Sequence, residues 1–107
     1  MDFNEIKKEV KNINFDTLRI DRDNYFEAVI VKAELEKLNE RLKKFFGDSA
    51  WPSVNRLSSQ MQEAVRNFGG IMPGQTLYFW DKGSETIFAM LWPWGDGRHT
   101  TVKIVKK

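Results

Sequence analysis

The chain has 107 residues and a mass of 12.6 kDa, the size of one domain rather than two. Its 41% hydrophobic, 13% aromatic and 30% charged residues exclude disorder along the whole length, and folding at this size buries roughly 60–70% of the unfolded surface, enough for a core without staples. Cysteine is absent, which excludes disulfides, thiolate nucleophiles and Cys-based metal centres. The apolar runs at residues 28–31 and 87–92 fall far short of the ~20 residues a membrane helix needs. The first residues lack a basic stretch followed by an apolar one, so the expectation is a cytoplasmic protein without a membrane partner.

The first helix is expected where Asp2 and Glu5 stand at capping-box spacing and Phe3, Ile6, Val10 and Ile13 recur at helical intervals. A short extended piece follows at residues 15–20. Between Asn24 and Gly47, Ala28, Val31, Leu35, Leu38, Leu42 and Phe45 form one helical stripe, with acids near its start and Arg41, Lys43 and Lys44 near its end. This predicts one long amphipathic helix. Residues 25–31 also hold a β-branched run, and the other reading is a strand leading into a shorter helix from about Ala33. A third helix is expected from Ser53 as N-cap, through Val54, Leu57, Met61, Val65 and Phe68, to the stop at Gly69 and Gly70.

The last third reads as strands at residues 75–80, 86–92 and 99–106, joined by turns at residues 81–84 and 94–97. The expected architecture is α+β: N-terminal helices packed on one face of a C-terminal three- or four-stranded antiparallel sheet, a meander. Alternation places Leu77, Phe79, Ile87, Ala89, Leu91, Val102 and Ile104 on one face, which serves as the core. The opposite parity collects Tyr78, Trp80, Phe88, Met90 and Trp92, beside Thr101, Lys103 and Val105. A face turned only to water would be polar, so this aromatic face calls for a cover: the protein's own helices, a second copy of the chain, or a ligand.

The leading functional expectation is a non-enzymatic module that forms a homodimer or binds a protein partner through Tyr78, Trp80, Phe88, Met90 and Trp92, since aromatic and Met side chains are enriched in interface cores. The alternative is a weak binder of single-stranded nucleic acid or another anion, with Trp80 and Trp92 stacking and Arg98, His99 and Lys103 contacting phosphate. The net charge of +2 speaks against it, although the excess lies at the right end: residues 1–50 carry 10 basic and 11 acidic side chains, net −1, and residues 51–107 carry 7 and 4, net +3. The C-terminal bases also suit a solvated edge strand that discourages pairing.

Residues 92–97, two tryptophans around a proline followed by Gly95-Asp96-Gly97, make a rigid turn that closes the core or walls a pocket. Chemistry finds little footing. His99 is the sole histidine, the glycines match no phosphate-binding fingerprint, and Asp21, Asp23 and Glu27 are explained by helix capping. No cofactor, metal site or catalytic residue is expected.

Overall fold

The computed structural model describes residues 1–53 and 56–107. Helix α1 spans Phe3–Lys11, and the Asp2 carboxylate accepts the Asn4 N–H at 2.8 Å as its cap. Its apolar positions Phe3, Ile6 and Val10 are all buried. Strands β1 (Thr17–Asp21) and β2 (Tyr25–Val31) follow as a hairpin, and helix α2 (Lys32–Phe46) begins where the β-branched run ends. This corrects the expected continuous helix from Asn24. Tyr25, Phe26, Val29, Ile30 and Val31 favour a pleated, two-sided environment over a helix, and Asp23 and Asn24 serve the turn, where the Arg22 N–H donates to the Tyr25 carbonyl at 2.8 Å. Asn24 and Glu27 stand at capping-box spacing too, but both lie outside any helix, in the turn and in β2.

Helix α3 covers Ser59–Arg66, with the Ser58 hydroxyl accepting the Met61 N–H at 3.1 Å. Ser58, not Ser53, is therefore the N-cap, and Leu57 precedes the helix; Val54, the first apolar position of the expected stripe, lies outside the described residues. Strands β3 (Thr76–Asp81), β4 (Thr86–Pro93) and β5 (His99–Lys106) complete the chain within about a residue of expectation.

All five strands join one antiparallel sheet in the order β1-β2-β5-β4-β3. The count is five rather than three or four because the β1–β2 hairpin docks on β5, putting the last strand at the centre. Nor do the helices share a face. Helices α1 and α2 cover one side, packing Ile6, Val10, Leu38 and Leu42 against Phe26, Ala28, Ile30, Ile87, Ala89, Val102 and Ile104. The chain then rounds the β3 edge, where Trp51 bridges to Leu77, and α3 with Phe68 and Ile71 covers the other side over Leu77, Phe88, Met90 and Val105. Ion pairs from Lys7 and Lys11 to Asp21 tie α1 to β1, and Glu9 joins α1 to Arg41 and Lys44 of α2.

The register of β3 corrects the face assignment. Tyr78 pairs with Ala89 and Trp80 with Ile87, so an even-numbered β3 residue shares a face with an odd-numbered β4 residue. Four residues, 82–85, separate the pair Asp81–Thr86, and that loop length reverses the parity that a register one residue different would give. Leu77 and Phe79 thus belong with Phe88 and Met90 under α3, while Tyr78 and Trp80 lie under α2.

Candidate functional site

The expected aromatic face is divided by that register. Tyr78 is buried on the α1/α2 side, and its hydroxyl donates to Asn39 Oδ1 at 2.7 Å. Burial raises its pKa. Trp80 packs half-buried against the same core. Phe88 and Met90 are buried beneath α3, with Phe88 5.7 Å from Phe68 edge-on and 6.0 Å from Phe79 in a stack. Of the five side chains, only Trp92 lies both on the second face and partly exposed.

Trp92 nevertheless belongs to a group on the second face. Beyond Trp92, towards β5, β2 and β1, that face presents Thr101 and Lys103, Glu27 and Val29, and Arg19 and Ile20. The loop after α3 reaches this strip only at Lys103, which meets the Phe68 carbonyl, and the apolar Val29 and Ile20 belong to neither hydrophobic cluster of the described residues. Val29 is only 1% exposed and Thr101 6%, which requires side chains to shield them. Trp94 supplies part of that shield: its Nε1–H donates to Thr101 Oγ1 at 2.8 Å, and Thr101 is the cross-strand partner of Val29. The indole also lies 4.9 Å from the His99 ring and 5.7 Å below the Arg19 guanidinium. It keeps 39% exposure, large for a tryptophan.

Arg19 reaches Trp94 because it is the extra residue of a bulge: Leu18 opposes Ala28 and Ile20 opposes Glu27, leaving Arg19 between them. A bulge redirects side chains locally, and Arg19 joins Glu27 at 3.4 Å on the second face. Glu27 also accepts the Tyr25 hydroxyl proton at 2.5 Å, and burial, then this hydrogen bond, raises the Tyr25 pKa. Lys103 holds its Nζ 3.5 Å from the Trp92 ring centre and donates to the Phe68 carbonyl at 3.3 Å. Burial lowers its pKa, against the pull of Glu27.

The turn holding Trp94 is organised by Asp96. Its carboxylate accepts the N–H groups of Arg98 at 2.8 Å and His99 at 3.0 Å, and its second oxygen meets His99 Nδ1 at 2.5 Å. The Arg98 backbone bond, then the His99 side chain, lower its pKa from 3.8 to about 2. A carboxyl whose folded pKa is depressed stabilises the fold above its unfolded pKa and loses that effect as pH falls through the folded one. Urea midpoints should therefore decline between about pH 4 and 2, with Asp21 and Asp81, whose pKa values are also lowered, contributing. In Asp96→Ala the decline should be shallower; an unchanged pH profile would show that the turn hydrogen bonds add no acid sensitivity.

The structure thus brings Trp92 and Lys103 into contact, sets His99 against Trp94 instead, and leaves Arg98 exposed at the turn, held through its backbone. It separates Asp21, which faces α1, from Glu27, which faces the opposite side, so the three carboxylates make no cluster. Sequence reading missed Arg19, Tyr25 and Glu27 as site residues because they lie some 70 positions from Trp94. Trp94 itself was legible: it continues the every-second-residue series Phe88, Met90, Trp92 past Pro93. No protein-family model matches the chain, and no curated protein or solved structure matches it either.

Proposed function

We infer that this chain is a protein-docking module whose contact surface is the part of the second sheet face beyond α3, centred on Trp94 and bordered by Trp92, Arg19, Tyr25 and Lys103. The observation that carries this reading is Trp94, a large ring 39% exposed yet held in place by Thr101, His99 and Arg19. Tryptophan, tyrosine and arginine dominate the energetics of protein interfaces, and a ring ordered beforehand costs little entropy on binding. The reading keeps the expected aromatic contact surface but moves it from the buried Phe88 and Met90 to the rim that the helices leave open.

The test is a photo-cross-linking amino acid at position 94, compared in the native cells with the same group at position 36, an exposed site on α2. A protein adduct specific to position 94 is expected. Adducts at neither position, or the same adducts at both, would overturn the reading. Trp94→Ala should cost about 1 kcal/mol of stability or less, because much of the ring is already in water, while abolishing the partner's association.

The cation–ring pairs Lys103–Trp92 and Arg19–Trp94 favour a second reading, a stacking platform for single-stranded nucleic acid. It ranks below the first because Arg19 and His99 are already matched by Glu27 and Asp96. This alternative expects a thymidine oligomer to quench tryptophan fluorescence at low salt and to lose affinity as salt rises; an unchanged emission disposes of it.

A further inference from the structure

We propose that the partner at this surface is a second copy of the chain, packed face to face about a two-fold axis that passes beside the Arg19–Glu27 pair. This rests on the docking reading above and names its occupant. The first argument is charge. The strip mixes both signs: Arg19 pairs with Glu27 at 3.4 Å, Asp96 lies 2.5 Å from His99, and Lys103 is the cross-strand neighbour of Glu27. A polyanion or a strongly acidic peptide drawn to Arg19 or Lys103 would meet the Glu27 carboxylate beside both. A two-fold mate presents the same pattern inverted, so Arg19 of each copy faces Glu27 of the other and no charge meets its like.

The second argument concerns the sheet edges, the other route by which a β-protein joins its copy. The β1 edge is interrupted by the bulge at Arg19, and its Asp21 is drawn into ion pairs with Lys7 and Lys11. The β3 edge is crossed by the chain at Trp51, which bridges Leu77, and Gln60 hydrogen-bonds Asp81 beyond it. Both devices discourage strand addition. Association through a continuous sheet is therefore disfavoured, while among the described residues no helix packs over the second face beside β1. A stable contact needs about 800 Å² from each copy, roughly an eighth of the 6470 Å² surface. Reaching that area extends the contact from Trp94 across Glu27 and Arg19 to Thr17 and Ile20, the β1 residues on the same face.

The experiment labels the intact chain with 5-fluorotryptophan, whose four ¹⁹F signals belong to Trp51, Trp80, Trp92 and Trp94, and follows them through a dilution series from millimolar concentration. Signals of Trp92 and Trp94 should move together with dilution while those of Trp51 and Trp80 stay fixed. Movement confined to Trp51 or Trp80, or a mass that stays monomeric with all four signals still, overturns the proposal. The two-fold geometry is read from Arg19→Glu and Glu27→Lys. Each alone should weaken self-association about tenfold or more, through like charges facing across the axis, and an equimolar mixture should recover it. A mixture no tighter than its components overturns the two-fold placement, and the ¹⁹F series decides the matter if Glu27→Lys does not fold. A monomer that still forms adducts with a different protein at position 94 removes the second copy and leaves the docking reading standing; a monomer without adducts removes both.

Discussion

Gly69→Ala is expected to lower the melting temperature by about 15 °C, at roughly 3 kcal/mol of destabilisation and 4–8 °C per kcal/mol for a domain of this size. Two independent obstacles meet at this position. Gly69 has φ +100°, a backbone conformation that an L side chain adopts only under strain. A Cβ built there would also lie 2.3 Å from the far carbon of the Trp92 indole, well inside contact distance. The ring has little room to retreat, because Lys103 sits over its face at 3.5 Å and the indole is packed among the side chains beneath α3. Shortening the ring separates the two causes. In a Trp92→Phe background the clash is relieved and the backbone strain remains, so Gly69→Ala should cost less there than in the parent chain. Equal costs in both backgrounds would assign the effect to φ alone, and a melting point within about 3 °C of the parent would show that neither obstacle is real.

Phe88→Ala is expected to cost about 4 kcal/mol, the range for truncating a fully buried aromatic side chain. Phe88 has no exposed surface and stands on β4 between Phe79 and the cross-strand Val105, with Phe68 edge-on above it. Its removal leaves a cavity under α3, a helix of only 8 residues that depends on this packing for its place. The measurement is the urea midpoint at constant slope. A loss under about 1 kcal/mol would mean that the ring faces solvent, and the expected aromatic binding face would return. The contrast with Trp94→Ala is the informative one: two aromatic positions on the same sheet face, one expected to govern folding and the other association.

Much of this arrangement was legible in the sequence. The spacing of Phe3, Ile6 and Val10 gave α1, and Gln75 to Lys106 gave three strands because alternation, Pro93 and the glycine turns all agree. The β1–β2 hairpin was obscured where two local signals conflict. Ala28, Val31 and Leu35 continue the α2 stripe backwards at helical spacing, although Ala28 and Val31 are strand residues pointing to opposite faces. Burial on both sides of a central strand erases the alternation that would have marked it. The face of β3 was obscured for another reason: it depends on how many residues the loop at 82–85 holds outside the ladder, which alternation within each strand does not encode. Trp92, His99 and Lys103 were singled out from β4 and β5 alone. Arg19 and Glu27 enter only once β2 is known to lie beside β5.

The placement of β5 between β2 and β4 bears on how the chain can assemble during synthesis. Every strand except β5 is made before it, yet without it the sheet divides into two separate hairpins, β1–β2 and β3–β4, each too small to persist alone in water. Helices α1 and α2 would then have half a surface to rest on, and Val102 and Ile104 would be missing from the core they share. The emerging chain therefore holds its apolar strands unpaired until residues 99–106 have been added. The same arrangement makes those eight residues the seam of the molecule, the segment whose removal would undo both layers at once.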